Sequence, residues 1–276
     1  MADQNETYAG VDVGTECVKV VVLSSDGVIR GRSVVPAKGY FQDRVREAMA
    51  AALDEAQIQQ TDLGGLCATG FAMDCVSDAT QTAGETSCHA LGAFHYIEQP
   101  LCVVDIGGRE PTVIHVDGKG RPVEIHTLRR CAVGLGTFLM FAARHLDVHP
   151  TQLHELAARV DTTAAIGSYC SVFAGSDILD RLREGASREA IARGCMRSIA
   201  ERIVEIGSFK ESIRVTGGVA EYFPGVLQTL AEITDLSVDL VPEPIQAGAL
   251  GAALHAQRAA DAAVATSSGS KKGVSR

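Results

Sequence analysis

Two copies of one pattern constrain the fold of this chain more than any other feature of its sequence. In the first copy, an apolar run ends in Asp12-Val13-Gly14-Thr15, and two further runs flank the turn Asp26-Gly27. In the second, an apolar run ends in Asp105-Ile106-Gly107-Gly108, and the next two runs flank Asp117-Gly118. Asp-Gly between apolar runs is a hairpin signal. The duplication predicts two similar lobes that face a cleft, each beginning with three consecutive strands.

The two Asp-x-Gly turns carry groups that suit a nucleotide. Each brings backbone N–H groups beside an aspartate, and such a turn can hold a phosphate chain with its divalent cation. For one turn alone, an ordinary β-turn is the simpler interpretation. A third segment, Thr216-Gly217-Gly218-Val219, ends a strand in a double glycine at a helix start. Such a turn lets the backbone approach a flat base or a phosphate closely.

Two cysteines stand apart from the other six. Cys131 and Cys170 each precede a segment that reads as a helix, a position that favours thiolate over thiol. They are 39 positions apart, so one chain offers two of the four thiolates that a tetrahedral cluster needs, and a second subunit could supply the others. The alternative is that both are packing residues, since free cysteines are usually buried.

The remaining cysteines are predicted to be structural. Eight cysteines in a reducing compartment favour core, catalytic or metal-binding roles over disulfides. Cys88 lies next to His89 at the start of a predicted helix, and both are interpreted as structural. The others fall in apolar strands, in turns or on a helix face that we expect to be buried; they are Cys17, Cys67, Cys75, Cys102 and Cys195.

Bulk properties limit the class of protein. With 276 residues, 46% of them hydrophobic, the chain can bury a real core and is not a disordered polymer. A formal net charge of −9 argues against nucleic-acid or anionic-membrane surfaces. The apolar runs are too short to span a bilayer, and the first residues lack a signal-peptide pattern, so we expect a cytoplasmic protein. The predicted divisions are a first lobe over 1–100, a second over 101–258 and a disordered tail over 259–276.

The motifs together resemble a known superfamily. Asp12-Val13-Gly14-Thr15, Asp105-Ile106-Gly107-Gly108 and Thr216-Gly217-Gly218-Val219 occur in the order of the two phosphate segments and the adenosine segment of sugar kinases and actin. The segments that begin at Cys131 and Cys170 sharpen the match. Over residues 8–257 the chain resembles the ATPase family of benzoyl-CoA reductase and the 2-hydroxyacyl-CoA dehydratase activators. The implied fold is α/β: a duplicated, two-lobed actin/sugar-kinase-like (ribonuclease H-like) ATPase.

That resemblance implies an ATP-driven electron pump. In the family, two ATPase subunits share one [4Fe-4S] cluster, and Cys131 and Cys170 match its ligands. Reduced ferredoxin loads the cluster, and ATP hydrolysis with Mg²⁺ lowers the potential at which the electron leaves. The resemblance further implies a larger homologous ATPase subunit and catalytic subunits that bind benzoyl-CoA, with no nucleic acid and no membrane as partners.

The resemblance also assigns roles to individual residues. In the first phosphate segment, Gly14 and Thr15 would hold the β- and γ-phosphates, Asp12 would bind the magnesium shell, and Lys19 lies close enough in sequence to reach a phosphate. In the second, Asp105 would position the attacking water. The remaining expected nucleotide contacts are Gly107, Gly108, Gly217, Gly218 and Glu221. One departure is Arg109-Glu110, where the dehydratase activators carry Gln-Asp, and it leaves the positioning of the water open.

Four functions follow from these residues. The first is the ATPase subunit of benzoyl-CoA reductase, which would support the reductive dearomatisation of benzoyl-CoA. The second is a homodimeric, ATP-dependent activator of a 2-hydroxyacyl-CoA dehydratase. The third is a small-molecule kinase of the same superfamily, in which the cysteines only pack. The fourth is a scaffold subunit that keeps the fold and has lost ATP turnover.

Overall fold

The computed structural model describes residues 6–127, 134–167, 171–207, 209 and 212–270. In these residues, ten strands form two five-stranded sheets. The first sheet contains β1 (Thr7–Val13), β2 (Cys17–Ser24), β3 (Ile29–Pro36), β4 (Leu63–Thr69) and β5 (Gln81–Thr82). The second contains β6 (Leu101–Asp105), β7 (Thr112–Val116), β8 (Pro122–Thr127), β9 (Ser212–Thr216) and β10 (Ser237–Leu240).

Nine α-helices occur within the same ranges. They are α1 (Phe41–Ala56), α2 (Glu85–Ile97), α3 (Leu135–His145), α4 (Leu153–Ala157), α5 (Ser171–Arg183), α6 (Arg188–Val204), α7 (Gly218–Tyr222), α8 (Pro224–Thr234) and α9 (Ala247–Ser270). Of the helices described, none combines the length and the apolar character that a membrane crossing requires.

The two sheets have the same topology. Their strand orders are β3-β2-β1-β4-β5 and β8-β7-β6-β9-β10. In each, the three consecutive strands pair antiparallel, and the first of them pairs parallel with a strand that follows a helical connection. The predicted duplicated α/β fold is therefore confirmed. Side chains alternate between the two faces of a strand, and every residue of β1 is buried, so both faces of this inner strand are covered.

The chain divides into two compact units whose limits differ from the predicted ones. Unit 1 comprises Met1–His95 and Gln246–Arg276, and unit 2 comprises Tyr96–Ile245. The difference arises because α9 packs on the first sheet. A Cβ atom on Gly10 of β1 would overlap the carbonyl oxygen of Ala249, and one on Gly251 would lie 2.5 Å from the Cys88 carbonyl carbon. Glycine thus lets α9 touch the backbones of β1 and α2.

Helix α9 also extends further than the sequence suggests. It continues to Ser270, whereas disorder was predicted from residue 259; residues 271–276 lie outside the described ranges. Residues 261–266 are exposed, which agrees with the lack of a core pattern there. The alanine-rich sequence supplies high helix propensity, so the helix propagates beyond its buried part.

The predicted packing role is confirmed for four cysteines. Cys67, Cys88, Cys102 and Cys195 are buried, while Cys17 and Cys75 are partly exposed. Burial raises the pKa of the Cys67 thiol to about 11 and those of Cys88 and Cys195 to about 12. These thiols are therefore protonated at neutral pH and poor candidates for metal thiolates.

Candidate nucleotide site

The first phosphate segment contains a buried ion pair. Asp12 of β1 lies directly opposite Lys19 of β2, so both side chains project from one face of the sheet. Lys19 Nζ lies 3.0 Å from Asp12 Oδ2, and the two side chains are only 14% and 7% exposed. A buried pair is weak evidence for stability because of its desolvation cost. Here it places a cation and a carboxylate beside the Gly14–Thr15 turn.

The turn itself is held by its backbone. Gly14 N–H donates to the Cys17 carbonyl oxygen at 3.0 Å. A Cβ atom on Gly14 would lie 2.8 Å from Lys19 Nζ, so any larger residue would displace the ammonium group. Thr15 is partly buried in the same turn. A carboxylate, a hydroxyl and an ammonium are together a donor set that fits a magnesium-bound phosphate chain.

Three further residues surround the Asp12 carboxylate. Gly70 has φ +95°, and a Cβ atom there would lie 2.5 Å from Asp12 Oδ1. A Cβ atom on Gly248 of α9 would lie 2.9 Å from both Asp12 Oδ2 and His89 Nε2. His89 is buried, as its structural interpretation predicted. None of Gly70, Gly248 and His89 was predicted as a site residue. Gly70 carries a local signal because it directly follows a strand, whereas Gly248 is remote from Asp12 in sequence.

In unit 2, Asp105 ends β6 between two threonines. Thr112 and Thr216 are its partners on β7 and β9, and Thr216 Oγ1 donates to Asp105 Oδ1 at 3.1 Å. The side chain is partly exposed. Its carboxylate is thus fixed by a hydroxyl at a strand end, as a residue that orients a water molecule would need to be.

The double-glycine segment contacts the same aspartate. Gly217 has φ +96°, and a Cβ atom there would lie 2.5 Å from the Ile106 carbonyl oxygen and 2.7 Å from Asp105 Oδ1. Val219 N–H donates to that Ile106 carbonyl oxygen at 3.0 Å. The structure thereby brings the predicted second phosphate segment and the predicted adenosine segment together. Gly218 and Glu221 lie on α7, and Glu221 is exposed.

The turn after Asp105 contacts the start of α3. A Cβ atom on Gly107 would meet no atom within 4 Å, so this backbone is accessible to a ligand. On its other side, a Cβ atom on Gly134 would overlap the Gly108 carbonyl oxygen and lie 2.5 Å from the Arg109 Cα. Leu135 N–H donates to the Arg109 carbonyl oxygen at 3.2 Å. The predicted phosphate turn and the N-terminus of α3 are therefore in direct backbone contact.

The two residues that depart from the activator pattern form an exposed pair. Arg109 Nε lies 3.6 Å from Glu110 Oε2, with side chains 48% and 29% exposed. A pair this accessible contributes little stability.

Cys131 and Cys170 lie outside the described residues. The helices that follow them are described: α3 begins at Leu135, and α5 begins at Ser171. The two helices touch, since a Cβ atom on Gly175 of α5 would lie 2.5 Å from the Phe141 ring. The predicted placement of each cysteine at the start of a helix therefore stays a prediction.

A family model matches residues 9–256, under the description BadF/BadG/BcrA/BcrD ATPase family. The chain belongs to this family. As a member, it is an ATP-binding ATPase of the group that serves acyl-CoA dehydratases and benzoyl-CoA reductase.

Two relatives in this family bear directly on function. The activator of lactoyl-CoA dehydratase from Anaerotignum propionicum is 34% identical over 254 residues, 91% of this chain and 97% of that protein. A subunit of benzoyl-CoA reductase from Thauera aromatica is 29% identical over 264 residues, 89% of this chain and 91% of that subunit. The comparison therefore favours the second predicted function over the first.

Solved structures of family members have the same fold. Component A of (R)-2-hydroxyglutaryl-CoA dehydratase from Acidaminococcus fermentans superposes with a TM-score of 0.87 at 32% identity, covering 93% of this chain and 99% of that one. The activator of 2-hydroxyisocaproyl-CoA dehydratase from Clostridium difficile, with bound ADPNP, gives 0.84 at 26% identity and covers 98% of each chain.

A sugar kinase shares the fold alone. The ROK family glucokinase from Streptomyces griseus gives a TM-score of 0.58 at 14% identity and covers 91% of this chain and 99% of that one. This similarity agrees with the predicted two-lobed α/β fold.

Proposed function

We propose that this chain is an ATP-dependent activator of a 2-hydroxyacyl-CoA dehydratase that works as a dimer of identical subunits. The choice of dehydratase rests on two of the relatives, the activator of lactoyl-CoA dehydratase and component A of (R)-2-hydroxyglutaryl-CoA dehydratase. They match more than 90% of the chain at 34% and 32% identity. The alternative is an ATPase subunit of benzoyl-CoA reductase, paired with a larger homologue and loaded by ferredoxin. It rests on the benzoyl-CoA reductase subunit, which is less similar to this chain than those two relatives.

The observation that carries the mechanism is the contact between the phosphate turn and α3. Gly108 and Arg109 touch Gly134 and Leu135 through backbone atoms, with no side chain between them. A change at the turn on hydrolysis therefore moves the helix start directly, because main-chain atoms in van der Waals contact cannot absorb a shift by changing rotamer. Gly134, the N-cap residue of α3, lies three positions after Cys131 in the sequence.

The residues of the chain have distinct roles in this proposal. Asp12 would hold the hydrated magnesium ion, Gly14, Thr15 and Lys19 would bind the phosphates, and Asp105 would orient the attacking water. Gly107 leaves room for the nucleotide at unit 2, whereas Gly217 lets the double-glycine turn pack against the Ile106 carbonyl group beside Asp105. Cys131 and Cys170, with the same pair from a second copy, would hold a [4Fe-4S] cluster, which when bound supplies a one-electron centre.

The test is anaerobic production of the chain alone, with measurement of its mass, iron content and ability to activate a 2-hydroxyacyl-CoA dehydratase with ATP. We expect a dimer with about four irons per two chains. Cys131→Ala should lose the iron and the activation, whereas the control Cys75→Ala, at a partly exposed thiol, should keep both.

Three results would contradict the proposal in different ways. A chain that binds iron only after co-expression with a larger homologue, and then supports benzoyl-CoA reduction, would favour the alternative. Unchanged iron in Cys131→Ala together with phosphorylation of a small molecule would favour a kinase. Unchanged ATP hydrolysis in Asp105→Asn would favour a scaffold.

A further inference from the structure

The β7–β8 hairpin of unit 2 carries three potential metal ligands on one face. His115 of β7 is the register partner of Glu124 of β8, and His126 lies two residues further along β8. Because side chains alternate along a strand, these three project to the same side of the hairpin. One ligand atom from each lies within 4.8 Å of the other two. The nucleotide and cysteine segments contribute none of these groups.

His115 has a polar atom that needs a partner. The residue is 5% exposed, and none of the described residues hydrogen-bonds its buried Nε2. A buried nitrogen without a partner carries a desolvation cost that no hydrogen bond offsets. The His126 ring lies edge-on to the His115 ring with centroids 6.2 Å apart, and His126 Nε2 is 2.8 Å from Glu124 Oε1. The buried imidazole thus lies beside the one imidazole–carboxylate pair on this face.

The turn of the hairpin is held by hydrogen bonds to one carboxylate. The turn between β7 and β8 is fixed by Asp117, whose carboxylate accepts from Lys119 N–H, from Arg121 N–H and from the Arg121 guanidinium at 2.7–2.9 Å. A fixed turn sets the strand register, and the register places the two histidines and Glu124 together.

We propose that His115, Glu124 and His126 form a binding site for a divalent transition-metal ion of the Zn²⁺ type. Two imidazoles and one carboxylate, with a fourth position left to water, are a ligand set that Zn²⁺ accepts. Ligand atoms about 2.0–2.2 Å from one ion lie roughly 3.3 Å apart in tetrahedral geometry, so the three must close by up to about 1.5 Å. The side chains of Glu124 and His126 are 45% and 34% exposed, so rotamer changes at the surface can supply that closure. The ion gives the buried Nε2 its partner and clamps the edge strand β8 to β7.

The test titrates Zn²⁺ into the full chain without nucleotide and measures binding by calorimetry. A parallel titration with Co²⁺ records the absorption spectrum of the bound ion. A Cys131→Ser/Cys170→Ser background removes the thiolates that would compete for the ion. We expect one ion per chain and a Co²⁺ spectrum with visible d–d bands and no thiolate charge-transfer band. His126→Gln and Glu124→Gln should each weaken binding at least tenfold, the lower limit for loss of even an outer partner.

The matched control is His149→Gln, an imidazole in the same unit whose Nδ1 contacts Thr151 Oγ1. It should bind Zn²⁺ as the parent does. Because His126 and Glu124 stand at the sheet edge, their variants should fold even if His115→Gln does not. Zn²⁺ should also raise the melting temperature of the parent and not that of His126→Gln. Absence of binding, or equal affinity in His126→Gln and the parent, would overturn the proposal, and neither result bears on the ATPase function.

Discussion

Replacing Gly134 with alanine tests the contact between the phosphate turn and α3. Gly134 has φ −59° and ψ 167°, values that alanine adopts without strain, so the substitution acts through its methyl group alone. That group would lie 2.5 Å from the Arg109 Cα, whereas ordinary contact begins near 3.4 Å. The two backbones must separate by at least about 1 Å, and overpacking of this kind costs about 1–3 kcal/mol.

We expect α3 to move and the phosphate turn to stay. The turn is anchored at Ile106, which pairs through its N–H with Thr216 and through its carbonyl oxygen with Val219. A misplacement of 1 Å can cost about 100-fold in a coupled step. Gly134→Ala should therefore lose about 100-fold in ATP-driven dehydratase activation while its ATP hydrolysis stays within a few-fold of the parent.

The assay compares hydrolysis with activation in three variants. In Gly136→Ala the new methyl group would lie 3.2 Å from the Gly107 carbonyl oxygen, a tight but tolerable contact, so an intermediate loss is expected. In the control Gly118→Ala the nearest atom, on Pro100, is 3.8 Å away, and no loss is expected. If Gly134→Ala and Gly118→Ala give the same ratio of activation to hydrolysis, the contact does not transmit the nucleotide state.

Three other changes have defined outcomes. Lys19→Met should weaken ATP binding at least tenfold, which nucleotide titration measures. It should also lower the free energy of unfolding, measured with denaturant, by about 3–5 kcal/mol, because the buried Asp12 carboxylate loses its cation. Ser187→Ala should cost about 1 kcal/mol, since the Ser187 hydroxyl accepts from Ala190 N–H at the start of α6, and an unchanged denaturation midpoint would contradict this. Burial raises the pKa of Cys195 to about 12, so the thiol ionises at lower pH in the unfolded chain than in the folded one. The free energy of unfolding should therefore be unaffected below about pH 8.5 and fall by up to about 1.4 kcal/mol per pH unit from there towards pH 12. Cys195→Ala should flatten that alkaline decline in melting temperature, and an equal slope in both proteins would refute the assignment.

The duplicated fold could be predicted because its signals are local. In each half, the second and third consecutive strands are separated by a turn that the sequence marks, at Asp26-Gly27 and at Asp117-Gly118. Helix α1 spans the residues that its apolar periodicity predicts. The pairing of Asp12 with Lys19 follows from the hairpin register alone. Signals of this range need no knowledge of tertiary contacts.

The surroundings of Asp12 could not be predicted in the same way. Gly248 reaches the carboxylate only because α9 returns to the first sheet, more than 230 residues later in the chain. The same return explains why the predicted limit at residue 258 differs from the observed units. Helix α9 looked like the end of the second lobe because sequence order was the one guide to its position.

The placement of α9 has a consequence for how the protein is made on the ribosome. Unit 2 is one continuous stretch, whereas unit 1 is completed by residues that are synthesised last. Until α9 emerges, the part of β1 at Gly10 that α9 covers in the folded protein stays uncovered. Domains generally fold in order of synthesis. Here unit 2 can fold before unit 1 is complete, because the first sheet lacks its covering helix until α9 has been synthesised.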